Sequence, residues 1–262
     1  MPVIVELRLR ADRVTRAPYV PTTIQVHGLA CTLFEGAAPG SHEAQHKAFS
    51  IWPLTPVADG WLLRAAWLAS GFPQQALAAC GQLRVGPVFC TVTDLALRPE
   101  SFAALASGPP GDGVRLEFRS PAYFSQSGSR VVTPDPRLIV GSWHRRWNAY
   151  ADENLAIPDE DCHAIGRGLR LTEFDLRTQP RDTGYGRDRQ GFTGTATLRL
   201  DKTISPQARA QFSALARFAG YCGTGAQTTH AFGATAATLI PARLPAPDEP
   251  SGAATTAPAA SA

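Results

Sequence analysis

Short stretches of alternating apolar and polar residues are spread through the first hundred positions, and such alternation is typical of half-buried strands. The first stretch runs from Val3 to Leu9, and Pro21 then opens a segment whose apolar residues recur with helical spacing. Taken in order, the patterns predict a strand, a helix, two strands, a helix and a strand. The predicted elements are residues 3–9, 21–34, 49–52, 61–67, 72–80 and 85–97.

The same order of elements recurs in the second half of the chain. Residues from Val114 to Phe118 alternate as a strand, and Ser205 followed by Pro206 is typical of a helix start. The predicted elements are residues 114–118, 135–150, 169–176, 193–200, 205–219 and 234–240. Two consecutive βαββαβ units predict an α+β fold of tandem ferredoxin-like domains, a topology shared with the RNA-recognition motif.

Two segments lack the apolar pattern and indicate where the domains end. Residues 107–113, SGPPGDG, are rich in glycine and proline and predict a linker. The C-terminal segment has no large apolar residue, so it cannot offset the entropy of ordering itself. We therefore expect an N-terminal domain over residues 1–106, a C-terminal domain over residues 114–243 and a disordered tail over residues 244–262.

The composition is that of a folded, soluble protein, with 44% hydrophobic and 18% charged residues. No apolar run approaches the ~20 residues of a membrane span, and the N-terminus lacks the features of a signal peptide. The five cysteines show no spacing typical of a zinc site, which favours free thiols in a reducing cytoplasm. We expect a cytoplasmic protein without a bound metal or cofactor.

The net charge of +3 does not by itself indicate a nucleic-acid partner, so the local distribution of charge matters more. Lys47 and Lys202 are the two lysines among 25 basic residues, and the others are arginines. Arginines concentrate in the second half of the chain, where they form either an ordinary solvated surface or a surface that contacts phosphates.

Glycine is concentrated in residues 220–233, GYCGTGAQTTHAFG, which follow a predicted helix and precede the last predicted strand. Glycines allow close approach of the backbone to a ligand, and successive amide N–H groups can hold phosphates. The order of helix, loop and strand argues against a P-loop or a dinucleotide-binding fingerprint, because both need strand, loop and helix. From the residues alone, a phosphate cradle and a flexible loop that caps the helix are equally good interpretations.

Three segments, in the same order along the chain, resemble motifs of the CRISPR-associated endoribonucleases that process repeats. The glycine-rich segment 220–233 resembles their C-terminal loop. Residues 49–54, FSIWPL, resemble a family segment that follows a lysine, here Lys47. Residues 118–148 resemble a further region through their elements FRSPAYF, PDP and WHRRWN. The resemblance covers about residues 1–243.

The resemblance implies a metal-independent cut inside each repeat of precursor CRISPR RNA. In that chemistry a 2′-hydroxyl of the repeat attacks the adjacent phosphate, which leaves a 2′,3′-cyclic phosphate and a 5′-hydroxyl. The reaction needs a base, an acid and a cation that stabilises the charged phosphorane. The implied partners are repeat RNA and its crRNA product, with other CRISPR effector proteins and a second copy of the chain as further candidates. No membrane partner is expected.

The resemblance places the catalytic residues between the first helix and the second predicted strand. His42 is the expected general acid and base and Lys47 the expected cation, with His46 as the alternative acid and base. A polar, solvated loop is the alternative interpretation of this segment. Cys31 stands where some family members carry a tyrosine, and His27 lies one helical turn away.

For RNA binding, the resemblance implies contacts from the glycine-rich loop and from arginines of the second domain. The implied residues are Gly220, Gly223, Gly225, Thr228, Thr229, His230, Gly233, Arg145, Arg146, Arg187 and Arg189. The alternative function is that of a related, non-catalytic RNA-binding subunit of a CRISPR effector complex, and the missing tyrosine favours it.

Overall fold

The computed structural model describes residues 1–12, 19–34, 47–186 and 188–242. Its N-terminal part is one antiparallel sheet with helices packed against it. The elements of this part are β1 (Val3–Ala11), α1 (Thr23–Phe34), β2 (Phe49–Ile51), β3 (Thr55–Val57), β4 (Gly60–Trp67), α2 (Gln74–Ala78), β5 (Gln82–Val85), β6 (Val88–Pro99) and α3 (Phe102–Ser107).

In the first sheet, β1 is central and runs antiparallel to both β4 and β6. The strand order is β2-β4-β1-β6-β5, and β3 also pairs with β4. Alternate residues of β1, Val5, Leu7 and Leu9, are buried in one core with Leu29 and Leu33 of α1. The alternation in the sequence therefore identifies the buried face of the central strand, as expected for a period of two.

Two predicted elements of this domain differ from the structure. The strand predicted over residues 85–97 is a hairpin of β5 and β6, and Gly86 turns the chain between them with a φ of 58°. The helix predicted over residues 72–80 is shorter, because α2 spans only Gln74–Ala78.

The C-terminal part is a second antiparallel sheet, in the order β10-β11-β7-β12, with β7 at its centre. Its elements are β7 (Gly111–Ala122), β8 (Phe124–Gln126), β9 (Ser129–Val131), α4 (Pro136–Tyr150), α5 (Asp159–Gly168), β10 (Leu169–Asp182), β11 (Asp188–Leu200), α6 (Pro206–Cys222) and β12 (Thr235–Pro241). The core contains Trp143 and Trp147 of α4 together with Phe212 and Phe218 of α6.

Capping residues fix where the two long helices begin. The carboxylate of Asp135 accepts a hydrogen bond from the amide of Arg137, 2.8 Å away, at the start of α4. The hydroxyl of Ser205 accepts one from the amide of Ala208, 3.2 Å away, at the start of α6. The predicted starts of both helices are confirmed, and in each of them proline follows the capping residue.

In both sheets the central strand lies between the third and fourth strands of its βαββαβ unit, as in ferredoxin-like folds. The predicted class is confirmed: the chain has an α+β fold of tandem ferredoxin-like domains. The chain between the domains is shorter than the predicted linker 107–113, because α3 includes Ser107 and β7 begins at Gly111. The predicted tail, residues 244–262, lies outside the described residues.

The two domains are packed directly against each other. The hydroxyl of Ser50 in β2 donates a hydrogen bond to the carbonyl of Tyr221 at the end of α6. Ile4, Ala66 and Leu68 of the N-terminal sheet are buried in the core of the C-terminal domain. This contact brings the segment before β2 next to the loop that follows α6.

Candidate active site between the domains

A cleft of about 510 Å³ lies where the two domains meet. The N-terminal domain contributes Lys47, two residues before the start of β2, and the opposite side is formed by α4 and the glycine-rich loop. The lining residues are Lys47, Ser142, Arg145, Arg146, Ala149, Tyr150, Gly225, Ala226, Gln227, Thr228, Thr229 and His230. Lys47 and several residues of the predicted RNA-binding set therefore share one cavity.

The glycines of the loop are explained by backbone geometry. Gly223, which caps α6, has a φ of 70°, and Gly225 and Gly233 have φ values of 85° and 62°. A Cβ atom on Gly233 would collide with the carbonyl oxygen of Thr224, and one on Gly225 would collide with that of Tyr123. These positions need glycine because L-residues with side chains rarely adopt such angles.

The loop is held firmly against α4. The indole N–H of Trp143 donates to the hydroxyl of Thr224 over 2.9 Å, and the amide of Gly225 donates to the hydroxyl of Ser142 over 3.1 Å. Farther along the loop, the amide of Ala226 donates to the carbonyl of Tyr123 over 2.8 Å. These contacts hold the loop on two sides, and Gly223 caps α6 as the second interpretation of the sequence expected.

Arg145 and Arg146 are neighbours on α4 with different surroundings. Arg145 is exposed at the edge of the cleft. Arg146 donates to the carbonyl of Gly225 over 2.8 Å and to that of Ser142 over 3.2 Å. Burial lowers the pKa of the Arg146 guanidinium. The two hydrogen bonds of this guanidinium hold the glycine-rich loop against α4.

Arg189 of β11 supports the loop from the other side. Its guanidinium donates to the side-chain oxygen of Gln227 and, over 2.8 Å, to the hydroxyl of Tyr123. The Tyr123 hydroxyl in turn donates to the same Gln227 oxygen over 2.7 Å. Gln227 has a φ of 55°, so this network stabilises an uncommon backbone conformation. Arg187, the other predicted arginine of this region, lies outside the described residues.

A pair of histidines joins the N-terminal domain to the loop. The rings of His27, on α1, and His230 are stacked with their centroids 3.7 Å apart and their planes 7° apart. The Nδ1 atom of His27 is 2.8 Å from the carbonyl oxygen of Thr229, so Nδ1 carries the proton and donates it. The Nε2 atom lies 3.4 Å from the sulfur of Cys31, one helical turn away.

The stacked arrangement also sets the charge state of His230. Burial, together with the nearby His27, Arg189 and Lys47, lowers the pKa of its imidazole to about 4. His230 is therefore neutral at neutral pH, and the excess positive charge of the cleft belongs to its lysine and arginines.

The structure brings together some of the predicted site residues and not others. Lys47 and Arg145 line the cleft with Thr228, Thr229 and His230. Gly220 lies within α6 and does not line the cleft. His42 and His46 lie outside the described residues.

Sequence reasoning missed the roles of His27, Gln227 and Tyr123. The only sequence signal for His27 is that it lies one helical turn before Cys31. The family resemblance had marked Cys31 as the position of a tyrosine in some members. The partner of His27, Thr229, is 202 positions away in the chain, so no local pattern could reveal the contact.

In the part of the chain that the structure describes, no group of three histidine, cysteine, aspartate or glutamate side chains is arranged to hold a metal ion. Over the same ranges, no helix combines the length and apolar character needed to cross a membrane.

Comparison with known proteins gives matches of three kinds. Residues 116–235 match the family of the CRISPR-associated endoribonuclease Cas6. The CRISPR-associated endoribonuclease Cas6 of Mycobacterium tuberculosis (strain CDC 1551 / Oshkosh) is 30% identical over 158 residues, which cover 58% of this chain and 49% of that protein. The chain thus spans about half the length of the curated relatives it matches.

Solved structures match over nearly the whole chain. A Cas6 product complex has a TM-score of 0.76 at 25% identity and covers 91% of this chain and 100% of its own. Thermus thermophilus Cas6 has a TM-score of 0.69 at 27% identity and covers 91% of this chain and 98% of its own. Another similar structure, at 25% identity with a TM-score of 0.74, is of a Cas6 histidine-to-alanine mutant.

The comparisons confirm the fold of two ferredoxin-like domains, and they show that the chain is similar to CRISPR-associated proteins. The particular family that the chain resembles is that of the CRISPR-associated endoribonuclease Cas6.

Proposed function

We propose that this chain is a Cas6-type endoribonuclease that cleaves precursor CRISPR RNA within its repeats to produce crRNA. The observation that carries the proposal is the cleft, where Lys47 of one domain faces Arg145 and the glycine-rich loop of the other. Positive groups in a shielded cleft attract a polyanion and stabilise charge that develops at a phosphate.

The proposed reaction is attack of a repeat 2′-hydroxyl on the adjacent phosphorus, with release of the 5′-oxygen of the next nucleotide. The products are a 2′,3′-cyclic phosphate and a 5′-hydroxyl. Lys47 supplies the ammonium that stabilises the phosphorane. His42, or His46 as the alternative, takes the proton from the 2′-hydroxyl and returns one to the leaving oxygen. No metal ion takes part in this scheme.

RNA binding is assigned to two sets of residues with different roles. Arg145 is exposed in the cleft and suited to contact phosphates directly. Arg146 and Arg189 act through the loop, because their guanidinium groups hold Gly225 and Gln227 in place. Thr229 and His230 present polar atoms at the wall of the cleft.

Cleavage of a repeat RNA in EDTA, with a matched RNA that carries a single 2′-deoxy substitution at the scissile nucleotide, tests this reaction. We expect the all-ribose RNA to be cut in EDTA and the substituted RNA to stay intact. A cut that requires Mg²⁺, or a cut of the 2′-deoxy RNA, would contradict the mechanism.

The second candidate function is a non-catalytic RNA-binding subunit of an effector complex. It is favoured by Cys31, which occupies the expected tyrosine position and contacts His27. Tight binding of repeat RNA without any cleavage would support this alternative. Repeat RNA is the proposed partner in either case, and the cytoplasm is the proposed location. Light scattering of the RNA complex would show whether it contains a second copy of the chain.

A further inference from the structure

A second cavity, of about 420 Å³, lies beside the cleft in the groove between α4 and α5. We call it the α4–α5 groove; its charged lining residues are Arg137 and Arg145 of α4 and Asp159 and Arg167 of α5, and His163 of α5 also lines it. Apart from Arg145, no residue of this groove has a role in the proposed function.

Arg145 connects the groove to the cleft, because it lines both cavities. Successive helix residues are rotated by about 100°. This rotation places Arg145 between the face of α4 that carries Arg137 and the face that carries Ala149. A strand that leaves the cleft past Arg145 therefore passes directly onto the groove.

The charge of the groove suits a polyanion. Arg137, Arg145 and Arg167 are all exposed, and within the described ranges none of them forms an ion pair with a carboxylate. Asp159 is the acidic residue of the lining, and its carboxylate lies 3.9 Å from His144. The three permanent charges outnumber it, and guanidinium groups bind phosphate oxygens in pairs.

The shape of the groove keeps these charges accessible. Gly166 of α5 lies under the side chain of Arg137, and a Cβ atom there would come 3.3 Å from the Arg137 Cγ atom. The stem of Arg137 therefore lies along α5 while its charged end reaches solvent, as long basic side chains do on apolar surfaces.

We infer that the α4–α5 groove is a second RNA-binding surface, which holds the phosphate backbone of a single strand that continues from the cleft past Arg145. The inference rests on the proposed function, because it takes repeat RNA as the occupant of the cleft. The groove adds affinity for RNA that flanks the cleavage site and takes no part in bond breaking.

The test compares the double variant Arg137→Ala, Arg167→Ala with the wild type on two RNAs. One is the shortest repeat fragment that the wild type cleaves, and the other extends this fragment at both ends by several nucleotides. We expect the variant to lose affinity for the extended RNA and to bind the short RNA as the wild type does. Its single-turnover cleavage rate at saturating RNA should not change.

Salt dependence adds a quantitative criterion. Each phosphate contact to a single strand changes the slope of log K against log salt by about 0.7. With two contacts removed, the ratio of wild-type to variant affinity should fall about sevenfold between 50 and 200 mM salt.

The matched control removes two exposed arginines from the open face of the second sheet, in the variant Arg115→Ala, Arg199→Ala. It has the same net charge as the test variant and should retain the preference for the extended RNA. Equal loss in both variants, or equal binding of short and extended RNAs by the wild type, would overturn the inference. A wild type that binds no repeat RNA would overturn the proposed function as well, so the two failures are distinguishable.

Discussion

The two lysines of the chain differ in burial and position, a difference that the sequence does not reveal. Lys47 is half-buried in the cleft between the domains, whereas Lys202 is exposed in the turn before α6. Lys47 is also close enough to His230 to lower the pKa of that imidazole. Its position supports the proposed role as the cation beside the scissile phosphate.

Replacing Lys47 tests that role. Lys47→Ala should reduce the single-turnover cleavage rate by about 10²- to 10³-fold, the usual effect of losing one group that stabilises transition-state charge. RNA affinity should change much less, because several other cationic groups remain in the cleft. Lys202→Ala is the matched control and should cleave at the wild-type rate. Equal effects of the two substitutions would remove Lys47 from the mechanism.

The pKa of His230 predicts how stability depends on pH. The folded-state pKa of His230 is about 4, below the ~6.5 of a histidine in an unfolded chain. Between these values the unfolded chain binds a proton that the folded chain does not, so the free energy of unfolding falls as the pH falls. His230→Phe keeps a ring against His27 and should therefore lose less Tm between pH 7 and pH 5 than the wild type.

His163→Phe serves as the control for this comparison, since His163 is exposed on α5. It should show the wild-type change of Tm with pH. If His230→Phe also followed the wild-type curve, the low pKa of His230 would not be a source of the pH dependence.

At the scale of elements, the glycine-rich loop is a rigid part of the cleft wall. Ser142 of α4 and Tyr123, which follows β7, hold its backbone amides, and Trp143 of α4 holds the side chain of Thr224. Two of its glycines, Gly225 and Gly233, have positive φ and no room for a side chain. The loop can therefore present the same polar groups to the proposed RNA partner without an entropic cost of ordering.

A pair of glycine substitutions tests this interpretation. Gly233→Ala should destabilise the chain by about 1–3 kcal/mol or more, because it combines a strained φ with a collision against Thr224. Gly220→Ala should be neutral or stabilise by up to about 1 kcal/mol, because Gly220 lies within α6 with open space around it. Chemical denaturation measures both, and effects of the same sign would contradict the structural account of the loop.

Helices and strands with a strong apolar period could be predicted from the sequence. The spacing of Ile139, Trp143 and Trp147 predicted α4, and all three residues are fully buried. Helix α5 was missed because Asp159–Gly168 is mostly polar and buries few apolar side chains, among them Cys162 and Ile165. Gly113 was assigned to the linker, yet it lies in β7, where a Cβ atom would collide with the carbonyl oxygen of Leu198.

The site was only partly predictable for a different reason. The motif around Lys47 is one continuous run of residues, and so is the glycine-rich loop. Each of them could therefore be recognised from the sequence. The contacts that unite them, such as His27 with Thr229, join residues far apart in the chain and depend on how the domains pack. Tertiary packing of this kind leaves no periodic signal.

At the scale of the whole molecule, the candidate site exists only because the two domains are packed together. The His27–His230 stack and the hydrogen bond from Ser50 to Tyr221 connect the N-terminal domain to α6 and the loop that follows it. Since Lys47 belongs to one domain and Arg145 to the other, the distance between these cations is set by this interface.

Substitutions at His27 test the importance of that interface. His27→Ala removes both the stack with His230 and the polar contacts to Thr229 and Cys31, whereas His27→Phe keeps a stacked ring and removes only the polar contacts. Hydrogen exchange of residues 227–233 should accelerate strongly in the alanine variant and less in the phenylalanine variant. Unchanged exchange in both variants would show that the pair does not hold the loop.

In the proposed function, RNA is cleaved between Lys47 and the glycine-rich loop. A crystal structure of the chain with a repeat RNA that carries a 2′-deoxy substitution at the scissile nucleotide measures the position of the scissile phosphate directly. We expect this phosphate in the cleft, within hydrogen-bond distance of the Lys47 Nζ atom and against the loop from Gly225 to His230. A scissile phosphate bound anywhere else on the two domains would rule out this site of cleavage.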